Sequence, residues 1–312
     1  MARRGRLVKI GIIVLVVLIL AIVSILLFPV QKPHVVLAPD AIFHIGGFPI
    51  YNTLIASWLA ILVLVVIFYL GTRRMKLVPR GWQNAMEAVY EAIYNFVEGA
   101  AGSENARRFL PVVATIFLYV IVAAFTSLLP GFDTIGFGHV GEQSAAFGGT
   151  YHGWIVEEPL LRKANTDINF PLALALISFL FVEYWGIKAL GVRQYISKFI
   201  RVSQLLNSVG QLVRGKVRRG LGGLFSGFIY IFVGTLEAIS EFVRIISFTF
   251  RLFGNMTAGM VLLLLIGFLI PWIVAVPFYG LEMLFGFVQA LIFAGLTLIF
   301  AVIAVQSHSE GQ

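Results

Sequence analysis

Between positions 237 and 255 an apolar stretch carries Glu237, Ser240, Glu241, Arg244, Ser247, Arg251 and Asn255. At roughly 100° per helical residue, Glu237, Ser240, Arg244, Ser247 and Asn255 project within about 40° of Arg251, and Glu241 lies about 80° away. The other faces are Phe, Ile, Val and Leu, and the segment after Asn255 turns apolar. Placing an arginine at mid-membrane costs about 2.5–3.5 kcal/mol on insertion scales. Arginine cannot escape that cost by losing its proton. Two readings follow. Either Arg251 pairs internally with Glu237 or Glu241 and staples two helices together, or the stripe walls an aqueous half-channel that stops at Arg251.

Glu282 and Gln289 form a second polar line, seven residues apart and so on one helical face. Gln289 could be a helix–helix hydrogen bond and Glu282 an interfacial carboxylate facing external water. Alternatively, with Asn255, they line a second path that reaches Arg251 from the other side. Two paths separated by a permanent cation have a mechanical meaning. A guanidinium repels protons and offers no acceptor, so a proton crosses only on a mobile carboxylate. Glu183 is the other acid inside a span, near its cytoplasmic end. The mobile acid is therefore expected on a partner subunit.

The elements holding these residues are membrane helices. Of the 312 residues 59% are hydrophobic and 12% charged, with a mean hydropathy of +0.94. That much apolar surface needs lipid to cover it. Several runs reach the ~20 residues that cross about 30 Å of hydrocarbon. Barrel-type alternation is absent, which leaves an all-α polytopic membrane protein with about six membrane helices. No cysteine is present, so disulfides and thiolate metal sites are excluded. No cofactor, metal or catalytic residue is expected.

Spans are expected over 10–30, 52–70, 109–129, 168–190, 221–270 and 279–305. Residues 1–35 read as an extra N-terminal helix of signal-anchor type, because Pro39 after Ala38 makes a poor cleavage context. With a cytoplasmic N-terminus, alternation places most of the 23 Lys and Arg residues on the cytoplasmic side and leaves Lys32, Arg162 and Lys163 outside. This clustering beside spans, not nucleic-acid binding, accounts for the net charge of +8. It also makes 131–166 an external loop and leaves the C-terminus cytoplasmic.

One segment is expected not to span. Trp82, Met86, Val89, Ile93 and Phe96 recur as one stripe of an amphipathic helix, opposite Glu87, Glu91 and Glu98. Its acidic face suits packing at the cytoplasmic surface better than binding anionic lipid. The 221–270 region is too long for one perpendicular crossing, since fifty helical residues reach about 75 Å. With Gly234 as the only available turn residue, one strongly tilted helix is favoured over a hairpin.

The stretch SFTFRLFGNMTAGM resembles the signature of subunit a of the F-type (F1Fo) ATP synthase, bacterial type. VQALIFAGLTLIFAVIA is similar to the family's last helix, and VPRGWQNAMEAVYEAIYNFV, LLPGF and ANTDINFPLALAL to earlier landmarks in family order. The resemblance runs from about 43 to the C-terminus, giving a subunit domain over 36–312. It implies a long tilted helical hairpin, about 221–306, facing a ring of c subunits. It further implies b subunits of the peripheral stalk and the F1 sector as partners, in the inner membrane of a bacterium. Arg251 matches the family's essential arginine. Asn255 and Gln289 match polar positions beside it, and Glu237 an acid of the cytoplasmic half-channel, which Glu241, Arg244 and Ser247 extend. Asp167 and Asn169 match a polar pair near the external side. One departure stands out. The family often carries an acid nine residues after the arginine, paired with a histidine on the last helix. Here those places hold Met260 and Glu282. The carboxylate has moved across the helix pair, Met260 is expected to be packing, and Glu282 becomes the candidate for the external path.

Overall fold

A computed structural model describes residues 11, 15–16, 19, 38–129, 131–144, 150–192, 194–195, 217–269 and 275–306. Among them five helices are long and apolar enough to cross a membrane: α1 (Asn52–Thr72), α2 (Trp82–Thr126), α3 (Asn169–Leu190), α4 (Val217–Leu269) and α5 (Ala275–Gln306). The expected sixth span, 10–30, lies mostly outside the described residues. Its described positions, Gly11, Leu15, Val16 and Ile19, are helical and exposed.

These helices invert the pattern of soluble proteins. On α3 the buried positions are Pro171, Ala175, Ser178, Val182 and Gly186, while Leu176, Ile177 and Leu180 are exposed. On α1 the buried positions are Asn52, Thr53, Ala56, Ser57, Ala60 and Gly71, while Trp58, Leu62, Val65 and Tyr69 face outward. Small and polar residues meet protein and large apolar ones meet lipid, because tight backbone approach and hydrogen bonding, not hydrophobicity, hold helices together in a bilayer.

The 53 residues of α4 form one continuous helix, as the missing turn residues imply. At 1.5 Å per residue it is roughly 80 Å long, so it must tilt strongly or project beyond the hydrocarbon. The amphipathic segment and the third expected span are one helical run, α2, kinked at Gly102, whose φ of 75° and ψ of 161° are not helical. Only glycine enters that region without a Cβ penalty. The expected stripe is rotated. Gln83, Ile93, Val97 and Ala101 are buried, Met86 and Val89 are half-buried, and Trp82 and Phe96 are exposed.

Strands were not expected in an all-α chain, yet two antiparallel hairpins are present. β1 (Ala41–Ile45) pairs with β2 (Phe48–Tyr51) through Gly46 and Gly47, both at positive φ. A Gly-Gly pair between alternating residues is a hairpin signal in its own right. β3 (Gly136–Ser144) pairs with β4 (Thr150–Pro159) inside the 131–166 loop.

The chain divides into two compact units. The first comprises Met1–Met75, Leu118–Phe170 and Leu252–Leu291, and the second Lys76–Phe117, Pro171–Arg251 and Ile292–Gln312. In the first, buried polar residues of α1, the segment 162–167 and α5 cluster, among them Asn52, Thr53, Lys163, Asp167 and Glu282. Within it α4 and α5 pair antiparallel, Asn255 with Gln289 and Gly259 with Glu282. In the second, aromatic packing prevails: Phe109 lies edge-on to Phe181 and Trp185, and Phe248 packs against Phe293 and Phe300.

Candidate ion-path residues

The first unit gathers buried polar groups around the segment 160–167. After β4 the chain enters a short 3-10 turn, Ala164–Thr166. The Thr166 hydroxyl donates to the Lys163 carbonyl at 2.7 Å, which tightens the turn. Asp167 fixes its far end. One carboxylate oxygen accepts from the Thr53 hydroxyl of α1 at 2.9 Å. The other accepts from the backbone N and side-chain Nδ2 of Asn169, at 3.0 and 2.9 Å, where α3 begins. The expected Asp167–Asn169 polar pair is thus a joint between α1 and α3.

This turn carries Lys163 into the interior. Its Nζ lies 3.1 Å from Glu282 Oε1 on α5, and the two side chains are 5% and 7% exposed. Glu282 does not face open water, contrary to the interfacial alternative. Its carboxylate fills the place that a side chain at 259 would take: a Cβ there would lie 1.8 Å from Glu282 Oε2. Met260 is buried as packing. One turn deeper, Asn255 Nδ2 donates to Gln289 Oε1 at 2.8 Å. Gln289 is 2% exposed, and its Nε2 finds no partner among the described residues. The same holds for Asn165 Oδ1. Buried, unsatisfied polar atoms mark a place that water or a moving group can serve.

The second unit holds the remaining candidates. Glu241 is buried, Glu237 and Arg244 half-buried, and Ser240 and Ser247 exposed. The Arg244 guanidinium sits 3.9 Å over the Phe300 ring, a cation–π contact. Arg251 is half-buried, and among the described residues its guanidinium makes one hydrogen bond, to Ser247 Oγ at 3.4 Å, and no ion pair. The internal staple with Glu237 or Glu241 is therefore not formed.

Sequence reasoning singled out neither Lys163 nor Tyr195 as a site residue. Arg162 and Lys163 did stand out as basic residues on a side otherwise nearly free of them. Tyr195 gave no signal. Its hydroxyl donates to Glu183 Oε2, and its ring packs against Gly186. Burial, the Glu183 hydrogen bond and the nearby Glu241 and Glu183 charges push the Tyr195 phenol up, against an opposing pull from Arg244. The other Glu183 oxygen has no partner among the described residues. Tyr195→Phe should therefore destabilise the protein by about 1–3 kcal/mol, the cost of stripping a buried acceptor. Thermal denaturation reads this, and an unchanged Tm would show that Glu183 is hydrated instead.

The family model described as ATP synthase A chain matches residues 54–301. The chain is similar to ATP synthase subunit a of Nitratiruptor sp., 30% identical over 253 residues that make up 81% of this chain and 89% of that one. The corresponding protein of Moorella thermoacetica is 26% identical over 270 residues, 86% of this chain and 98% of that one. That of Campylobacter fetus is 28% identical over 273 residues, 86% and 96%.

Proposed function

The chain belongs to the ATP synthase A chain family, and from that premise we propose that it is the ion-translocating stator subunit of a rotary ATP synthase. It is a multi-pass membrane component that makes and breaks no covalent bond itself. The observation that carries the reading is the state of Arg251: a fixed cation on an apolar helix, with no ion pair among the described residues. A charge held in a membrane span without a counter-ion is costly. The missing acid is supplied by a carboxylate of the c-subunit ring as it passes.

On this reading two offset half-channels are separated by Arg251. The external one runs by Glu282, Gln289 and Asn255, with Asp167 and Asn169 framing its outer end. The cytoplasmic one runs along Ser247, Arg244, Glu241 and Glu237. Protons enter by the first, neutralise a ring carboxylate, ride the ring and leave by the second. Each charge crossing 100 mV supplies about 2.3 kcal/mol. Rotation in the opposite sense, driven by ATP hydrolysis in F1, pumps. The peripheral-stalk b subunits hold this subunit against the torque. Residues 1–35 form an added N-terminal segment ahead of the subunit domain, 36–312. The distribution of basic residues supports cytoplasmic termini, and the bacterial relatives support a location in the inner membrane of a bacterial cell.

The test is proton flux in proteoliposomes. The purified chain alone should conduct no protons above the lipid background, and conduction should return when it is reconstituted with its c-ring and b subunits. Conduction by the chain alone would instead identify a self-contained channel or transporter.

A further inference from the structure

The Lys163–Glu282 pair is the most deeply buried ion pair among the described residues, and the stripe of α4 does not account for it. We propose that Lys163 is a positioning residue of the external path, which pins the Glu282 carboxylate against α4. This inference rests on the placement of Glu282 in that path.

Three observations support it. The first is rigidity. The Lys163 carbonyl is bonded by the Thr166 hydroxyl and backbone N, and Asp167 is tied to Thr53 of α1. A flexible lysine stem thus starts from a fixed point, and less freedom is lost when its ammonium docks. The second is geometry. Lys163 Nζ takes Oε1 of Glu282, while the carboxylate as a whole lies against the bare backbone at Gly259, Oε2 nearest, eight positions beyond Arg251. An ammonium has donors only, so Oε2 is the oxygen left to accept a proton or a water. The third is charge. Arg162 precedes Lys163; Asp40, Asp133 and Asp167 act electrostatically on Arg162, and Asp133 on Lys163 as well. A buried carboxylate needs a partner, and Lys163 supplies one while holding the carboxylate in a fixed orientation.

The experiment uses the complete ATP synthase carrying Lys163→Met, Lys163→Arg, Glu282→Gln or the Lys163→Met/Glu282→Gln pair, with ATP-driven proton pumping recorded from pH 6 to pH 9. Lys163→Met should lower pumping about tenfold, because it leaves one member of a buried pair uncompensated. Its pH profile should move up by about one unit, since a carboxylate without its cation holds a proton to higher pH. Lys163→Arg should recover most of the activity at the original pH. If Lys163→Met fails to assemble, the double variant should assemble, since removing both charges spares the protein a lone buried ion. A Lys163→Met enzyme that pumps like the parent, or loses activity with no movement of its pH profile, overturns the proposal. So does a double variant that assembles no better than a non-assembling Lys163→Met. Glu282→Gln separates the two levels. If it pumps normally, the placement of Glu282 fails and this inference falls with it. If it is impaired while both Lys163 variants behave as the parent, only the role of Lys163 fails.

Discussion

Arg251→Ala should abolish ATP-driven proton pumping while the complex still assembles. Both halves follow from the same geometry. The guanidinium makes one long hydrogen bond, to Ser247 on its own helix, and no ion pair among the described residues. Little of the fold depends on it, and removing a charge from an apolar span lowers the insertion cost by a few kcal/mol. On the proposed reading function depends on it, because the fixed cation would oblige each proton to travel on the rotor. Without it nothing repels a proton moving directly between the two paths, so passive leak should rise as pumping disappears. Arg251→Lys keeps the charge but loses the planar five-donor fork, and should pump weakly. Fluorescence-quench assays on proteoliposomes, with native gels to confirm assembly, read both effects. An Arg251→Ala enzyme that pumps normally would sink the mechanism.

The second large effect is expected at Gly259. A Cβ there would lie 1.8 Å from Glu282 Oε2 and 2.3 Å from both Oε1 and Cδ. Side-chain tips can move, so the steric clash alone could be relieved. The penalty is electrostatic: a displaced carboxylate leaves Lys163, and two buried charges lose each other. Gly259→Ala should therefore cost about 3 kcal/mol, although glycine to alanine in a helix normally gains about 0.5–1 kcal/mol. Gly267→Ala on the same helix, where a Cβ meets nothing within 4 Å, supplies the control and should be neutral or stabilising. Shortening the acid with Glu282→Asp in the Gly259→Ala background should recover part of the loss by drawing the carboxylate back from the new methyl group. Thermal denaturation of the purified complex measures all three. A Gly259→Ala protein as stable as the Gly267→Ala control would show that the carboxylate is not held where the structure places it.

Particular elements show how far the sequence carried. The expected spans 52–70, 168–190, 221–270 and 279–305 correspond to Asn52–Thr72, Asn169–Leu190, Val217–Leu269 and Ala275–Gln306. The hairpins at 41–51 and 136–159 were missed because polytopic composition draws attention away from short strands, although Gly46-Gly47 signalled the first. The rotated face of α2 has a different origin. Trp82 and Phe96 are apolar enough to suggest burial, but in a membrane protein large apolar side chains are also the ones that face outward.

The sequence by itself determined the class, five of the spans, the single long helix through Arg251 and the polar stripe around it. Each of these follows from sums over neighbouring residues: transfer energy into lipid and the angular period of a helix are local quantities. The tertiary structure decided the partners. It joined Lys163 to Glu282, 119 positions apart, and Asp167 to Thr53, 114 apart. It also left Arg251 without an internal acid among the described residues. Such contacts depend on which faces of distant helices come within about 3 Å, and packing sets that, not any pattern along the chain.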